Sequence, residues 1–111
     1  SYEQLEGSTP AAETSATAAI RVAAAQQLQH RRCGKLNAQM NTKQIESYCE
    51  LDQQSGQLLA RAMEKLALSA RAYHRILKLA RTIADLDHHA QITSQHLAEA
   101  ISYRLLDRQN Q

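Results

Sequence analysis

Three cations recur at helical spacing in the middle of the chain. Arg71, Arg75 and Lys78 are separated by four and three residues, so a helix over this stretch places them on one face. The opposite face carries an apolar stripe, which would let the helix pack into a domain while its cations meet an anion. The pattern therefore indicates either an anion-contacting surface or an ordinary solvated helix face, and spacing alone favours the latter.

A second group of chemically capable side chains lies a few residues further on. Carboxylates and imidazoles are metal ligands, and the group is formed by Asp85, Asp87, His88 and His89. These residues also stand where the helix is expected to end, and histidines at a helix end interact favourably with its dipole. We therefore expect no metal site in this chain.

Independent catalysis is not indicated by any familiar motif. The chain contains no GxxxxGK[ST], GxGxxG, HExxH or GxSxG pattern. His74 and His96 have no nucleophile at a recognisable spacing, so both are expected to be packing or surface residues. Cys33 and Cys49 lack partners at metal-ligand spacing and are expected to be free thiols. We predict that this chain alone is not an enzyme and has no catalytic residue.

Composition sets the fold that must position these groups. The chain has 111 residues, with four Tyr, no Trp or Phe, three Gly and one Pro. Such a sequence is typical of a single all-α domain whose core is built from Leu, Ile and Ala. We predict a small bundle of four to five helices, preceded by a flexible linker.

The chain divides into segments at its turn and cap residues. Residues 1–13 contain Gly7 and Pro10 and are predicted to be a linker. An alanine-rich helix is expected over 14–31 with a stop at Gly34, then a short helix over 42–49 capped by Asn41. A compact three-helix core is expected over 52–106, and residues 109–111 would be a tail.

Within the core, cap residues are expected at Asp52, Ser69 and Thr93. Only Ala67 and Leu68 separate the first core helix from the cap of the second, which predicts that these two helices form a tight pair. In the alanine-rich helix the apolar stripe is thin. The cations Arg31 and Arg32 near its end are best explained by their favourable interaction with the helix dipole.

Charge and hydropathy limit where the protein is expected to lie in the cell and which partners it could have. The net charge is +2, but residues 14–111 carry 13 basic and 8 acidic side chains because residues 1–13 hold three Glu and no cation. No apolar run is long enough to cross a bilayer, so we expect a cytoplasmic protein without membrane contact. A helical DNA-binding module and an oligomerisation bundle remain alternatives on this evidence.

Three stretches of the sequence resemble a known family. KLNAQM, LDQQSGQLLARAMEKLALSARAYHRILKLARTIADL and ITSQHLAEAISYRLLDR are similar to the C-terminal domain of magnesium-chelatase-like AAA+ ATPases, in particular the ComM-like (YifB-like) branch. The resemblance covers about residues 14–108 and implies a helical lid that follows a nucleotide-binding domain. The alanine-rich helix departs from the family in having fewer charges, although it keeps Arg21.

The resemblance also implies roles for individual residues. Arg71, in the SAR word, matches the sensor-2 arginine, which reports on nucleotide in AAA+ proteins. Arg75, Lys78 and Arg21 are secondary candidates for contact with nucleotide, a neighbouring subunit or DNA. No residue of this chain is implied to bind a metal.

The resemblance implies that such a domain is part of a longer protein, here called the parent protein. The parent protein would be an ATPase that uses ATP and Mg²⁺, neither of which this chain would bind alone. Its expected partners are the upstream AAA+ nucleotide-binding domain, neighbouring subunits of a hexamer, and DNA. The ComM-like branch implies branch migration of DNA during natural transformation.

Overall fold

The computed structural model of the protein describes residues 14–109, which form five α-helices and one short 3-10 helix. The helices are α1 (Ser15–Cys33), α2 (Thr42–Tyr48), α3 (Gln53–Lys65), α4 (Ala70–Leu86) and α5 (Ser94–Gln109), with the 3-10 helix at Asn37–Gln39 between α1 and α2. This part of the chain contains no strand, and the all-α prediction is confirmed. The linker expected over 1–13 lies outside the described residues. Of the expected tail, only Gln109 is described, as the last residue of α5.

Short polar side chains start the helices where the sequence predicts them. The Ser69 hydroxyl accepts a hydrogen bond from the Ala72 N–H at 3.1 Å, which satisfies one of the orphan donors of the first turn of α4. The same kind of contact begins the other four helices, at Thr14, Asn41, Asp52 and Thr93. Local chemistry therefore sets the start of each of the five α-helices in the described chain.

Two helices end in a residue with left-handed backbone that is not glycine. Ala67 has φ 50° after α3, and the Leu68 N–H then donates to the carbonyl of Met63 at 3.0 Å. His88 has φ 58° after α4. The N–H of the next residue, His89, then donates to the carbonyl of Ala84 at 2.8 Å and closes the same kind of turn. These turns reverse the chain sharply, so that the three core helices need only short connections.

Helix α4 lies at the centre of the bundle. It packs most extensively against α5 and also contacts α1, α2 and the 3-10 helix. Small residues at Ala80 and Ala84 are fully buried, which allows neighbouring backbones to approach closely. The larger buried side chains of α4, Ile76 and Leu77, complete its inward face.

The packing of α3 differs from the prediction of a tight α3 and α4 pair. Its main backbone neighbour is α5, because the turn at Ala67 directs α4 away and α5 returns beside α3. Leu59 of α3 and Leu97 of α5 are both fully buried in the same cluster. None of the helices in the described range combines the length and the hydropathy needed to cross a bilayer.

Candidate functional site

Arg71 stands at the exposed start of the central helix. It is the second residue of α4, between the capping Ser69 and the buried Ala72. Its side chain is exposed and forms no hydrogen bond or ion pair with the described part of the chain. The backbone that carries it is fixed on one side by the cap and on the other by burial. The result is an exposed guanidinium, without a partner among residues 14–109, on a rigid support.

The other cations of the predicted basic face are placed differently from one another. Arg75, one turn after Arg71, is also exposed and without a partner among the described residues. Lys78 instead donates from Nζ to the carbonyl of Ala38 in the 3-10 helix at 3.2 Å. The structure therefore leaves Arg71 and Arg75 available to a ligand, whereas Lys78 helps to hold the 3-10 helix on α4.

The structure does not bring Arg21 to Arg71. Arg21 borders a shallow cavity of about 270 Å³ together with Asp87 and Glu99, beside the C-terminal end of α4. That end lies about 24 Å along the helix axis from Arg71, at 1.5 Å per residue. A nucleotide phosphate held by Arg71 is thus out of reach of Arg21 in the same chain.

A buried ion cluster ties α1 to α4. The carboxylate of Asp85 is fully buried and accepts hydrogen bonds from both terminal nitrogens of Arg32, at 2.5 and 3.1 Å. It also accepts from Nε of Arg81 at 3.2 Å and from the amide nitrogen of Asn37 at 3.0 Å. Asn37 is itself held by Gln29, whose side-chain oxygen accepts the Asn37 N–H. Two cations and one anion thus share a site that is nearly closed to water.

Arg81 connects this cluster to the turn after α4. Its two terminal nitrogens donate to the carbonyls of Ala90 and His89 at 2.9 and 2.7 Å. Burial of the guanidinium lowers its pKa, an effect that the neighbouring Asp85 carboxylate opposes. The hydrogen bonds of Arg81 to Asp85, Ala90 and His89 all hold parts of the fold together. This arginine is therefore structural.

The sequence alone does not reveal this cluster. Arg32 was expected to interact with the end of α1, but its anionic partner lies 53 residues away on another helix. The spacing of Arg81 and Asp85, four residues apart on one helix, was the available local signal. Such pairs are common on exposed helix faces, so burial could not be inferred from the spacing.

The four residues considered as metal ligands separate into different environments. Asp85 belongs to the buried cluster, whereas Asp87 contacts two histidines near the start of α5. The ligand atoms of Asp87, His89 and His96 lie within 4.8 Å of one another. The carboxylate accepts from Nε2 of His96 at 2.9 Å, and this hydrogen bond, followed by the charges of the nearby histidines, lowers the pKa of Asp87.

His96 already uses both of its ring nitrogens. Nδ1 accepts a hydrogen bond from the backbone N–H of Thr93 at 3.0 Å, while the Thr93 hydroxyl accepts one from the backbone N–H of His96. This arrangement is equivalent to a capping box. With Nδ1 as an acceptor, the proton is on Nε2 and points to Asp87. The arrangement therefore starts α5 and holds the preceding turn, and a metal at Nε2 would have to displace that proton.

Both cysteines are free thiols, as expected. Cys49 is buried in the main hydrophobic cluster, and burial raises the pKa of its thiol to about 11. Cys33, at the end of α1, is only partly buried. Burial therefore disfavours the thiolate of Cys49.

Fold and site together define a small helical domain whose central helix presents an exposed arginine at its start. The chain matches the family described as magnesium chelatase, subunit ChlI C-terminal, over residues 12–104. Because this match covers most of the chain, the protein belongs to that family, and the resemblance inferred from the sequence is confirmed.

Individual relatives agree with this assignment. The chain is 49% identical over 96 residues to competence protein ComM of Haemophilus influenzae, and 48% and 47% identical over the same length to the uncharacterized YifB proteins of Salmonella typhimurium and Escherichia coli. In each case the aligned residues are 86% of this chain and 19% of the relative. The chain therefore spans about a fifth of the length of these relatives.

Proposed function

We propose that this chain is the helical lid of a magnesium-chelatase-related AAA+ ATPase and that Arg71 is its nucleotide sensor. The observation that carries the proposal is the placement of Arg71, exposed and unpaired within the described chain at the first turn of a rigid helix. Membership of the magnesium chelatase family supplies the setting in which such a group would meet ATP.

The position of Arg71 has a cost to the isolated domain. A cation in the first turn faces the positive end of the helix dipole, an interaction that is unfavourable by roughly 0.3–1 kcal/mol. In the described chain no carboxylate offsets it. A phosphate would reverse the sign of the interaction, since the guanidinium and the first-turn N–H groups both attract an anion. An arginine placed in this way is better suited to a ligand than to the stability of the fold.

The rest of α4 would transmit a change in the contact between Arg71 and the nucleotide to the other helices. Ala72 and Ile76, on the same two turns as Arg71, are buried in the bundle, and the far end of the helix is joined to α1 by Asp85. A contact made or lost at Arg71 would therefore move the bundle as a unit. The γ-phosphate is the natural trigger, because the bond to it disappears on hydrolysis and release.

The parent machine is proposed as follows. ATP and Mg²⁺ would be bound by an upstream nucleotide-binding domain, and Arg71 would reach a nucleotide of its own subunit or of a neighbour in a hexameric ring. DNA is the proposed substrate, through branch migration during natural transformation. The name of one relative, competence protein ComM, and the excess of basic over acidic residues in 14–111 support this assignment. The proposed location is cytoplasmic.

An ATPase assay on the full-length parent tests the role of Arg71. We expect Arg71→Ala to abolish most turnover, whereas Arg61→Ala, which removes an exposed arginine from α3, should leave it near the unchanged rate. In the 111-residue chain Arg71→Ala should leave the melting temperature unchanged or slightly higher, because a cation leaves the positive end of α4. Unaltered hydrolysis in the Arg71→Ala parent would remove this residue from the mechanism.

A salt titration separates the lid from a DNA-binding module. The lid proposal predicts no measurable duplex binding by the 111-residue chain in a filter-binding assay, with binding recovered only in the parent. Tight binding by the short chain that weakens steeply with salt would favour the module instead. A stable oligomer of the short chain in sedimentation would favour an oligomerisation bundle.

A further inference from the structure

Three side chains with metal-binding atoms meet where α4 is joined to α5. Asp87 and His89 lie in the turn after α4, and His96 lies in the first turn of α5. The Oδ2 atom of Asp87 is 2.9 Å from Nδ1 of His89 and 2.9 Å from Nε2 of His96, and all three ligand atoms lie within 4.8 Å of one another. One carboxylate oxygen therefore stands between two imidazole nitrogens.

The fold fixes one of these ligands and leaves the other two adjustable. The side chain of His96 is only 5% exposed, whereas those of His89 and Asp87 are 51% and 57% exposed. The backbone of His89 is nevertheless held, because its N–H donates to the carbonyl of Ala84 and its carbonyl accepts from Arg81. Zn²⁺ binds nitrogen and oxygen at about 2.0–2.2 Å in a tetrahedral arrangement, so the two ring nitrogens would have to approach to roughly 3.4 Å. Rotation of the exposed His89 ring can supply that movement.

His96 can give Nε2 to a metal and keep a partner for its other ring nitrogen. The Thr93 hydroxyl lies 3.0 Å from Nδ1. When a metal takes Nε2, the proton leaves that nitrogen, Nδ1 takes one up, and the ring stays neutral. Nδ1 then donates to the Thr93 hydroxyl, as the second ring nitrogen of a metal-bound histidine usually donates to an acceptor behind it. The change costs the hydrogen bond from the Thr93 N–H.

The donor set selects the ion. Two imidazoles and one carboxylate suit Zn²⁺, whereas Mg²⁺ prefers oxygen ligands alone. Three protein ligands leave a fourth position, and the cavity of about 270 Å³ that Asp87 and His96 border has room for a water there. The same cavity is bordered by Arg21 and Glu99, whose charges are opposite, so Asp87 supplies the net negative charge that the ion would meet.

We propose that Asp87, His89 and His96 form a Zn²⁺ site that ties the turn after α4 to the start of α5. The expectation of no metal site was drawn from the neighbours of Asp87 in the chain, whereas the fold directs Asp85 into the buried cluster and supplies His96 from the next helix. The proposal does not depend on the role of Arg71, which lies at the other end of α4.

Isothermal titration calorimetry of Zn²⁺ into the untagged 111-residue chain tests the proposal. We expect one ion per chain, and His89→Asn should weaken binding by at least about tenfold, since the loss of even an outer-shell partner costs that much. His88→Asn is the matched control and should bind as the unchanged chain does. It removes an exposed imidazole from the adjacent position, and Asn tolerates the left-handed backbone there.

The ring nitrogens of His96 provide a second measurement, which an ion bound elsewhere would not change. Without metal the proton of this ring is on Nε2. Nitrogen NMR of the imidazoles should show it on Nδ1 once Zn²⁺ is bound, and the same concentration of Mg²⁺ should leave the signals where they are. A Cys33→Ser chain should respond in the same way, because the partly buried thiol is not one of the proposed ligands.

Several results would overturn the proposal. Equal affinity in His89→Asn, or binding that is lost in Cys33→Ser, would place the ligands elsewhere. Bound Zn²⁺ that leaves the His96 ring signals unchanged would exclude the buried ligand, and an equal response to Mg²⁺ would exclude the chemistry. No response of the ring signals at about 1 mM Zn²⁺ would mean that any affinity is too weak for a site.

Discussion

Removing the carboxylate of Asp85 should destabilise the domain more than almost any other single truncation. Asp85→Ala leaves Arg81, whose side chain is only 4% exposed, without its counterion, and leaves Arg32 with one anionic partner fewer. Breaking a buried ion pair by removing one partner costs about 3–5 kcal/mol. Because small domains are stable by only about 5–15 kcal/mol, the variant should lose a large part of its stability.

The two arginines should not contribute equally. Arg32 is 17% exposed, so after the loss of Asp85 it can recover hydrogen bonds from water, whereas Arg81 cannot. Arg32→Ala keeps the pair of Asp85 and Arg81 intact, and we expect it to cost about half as much as Asp85→Ala, on the order of 2 kcal/mol. Combining Asp85→Leu with Arg81→Met should recover part of the loss, since no unpaired charge is then buried.

Urea unfolding of the 111-residue chain, followed by circular dichroism, measures these differences. The midpoint should fall while the slope stays constant if the folded state is otherwise unchanged. Asp107→Ala is the matched control, because it removes a carboxylate that pairs with Arg104 at the surface of α5. Such exposed pairs contribute about 0.2–1 kcal/mol. A loss for Asp85→Ala no larger than that of the control would refute the reasoning.

Three further predictions follow from single sites. Ala67→Gly should raise the free energy of unfolding by about 0.5–1 kcal/mol in the same assay, because φ 50° strains any residue with a Cβ; an unchanged midpoint would contradict this. In native protein an alkylating reagent should modify Cys33 faster than Cys49, whose pKa is raised to about 11 by burial, and equal rates would contradict it. The hydrogen bond from His96 lowers the pKa of Asp87, so this carboxylate should stabilise the fold above about pH 4, and that stability should be lost as the pH falls through the lower folded pKa. Asp87→Asn should therefore make the loss of stability in acid shallower. An identical loss in the variant would count against this prediction.

The features that could be predicted from the sequence are those set by neighbouring residues. A hydroxyl or carboxylate before a helix and the spacing of apolar residues act within a few positions, so Ser69 and Asp52 were identified as caps without knowledge of the fold. The exposed place of Arg71 also followed from local spacing, together with the family resemblance.

The features that were missed depend on distant parts of the chain. The pair of Arg32 and Asp85 joins residues 53 positions apart, and no local pattern distinguishes it from two surface charges. The partner of α3 was predicted incorrectly for the same reason. A short connection limits how far apart two helix ends lie, but the direction of α4 depends on the left-handed backbone of Ala67, a residue type that rarely adopts it.

The attachment of α1 shows how these two levels combine. Its apolar stripe was expected to bury little, and Ile20 and Val22 are indeed 70% and 46% exposed. Near its C-terminal end, Gln29 and Arg32 make hydrogen bonds across to the 3-10 helix and α4. Polar contacts of this kind are directional and have little apolar burial to support them. Losing Asp85 should therefore release α1 while α4 and α5, which share the main hydrophobic cluster, stay packed. Amide hydrogen exchange on the Asp85→Ala chain should then be faster throughout α1 than in α5, and equal acceleration in both helices would mean that the bundle unfolds as one unit.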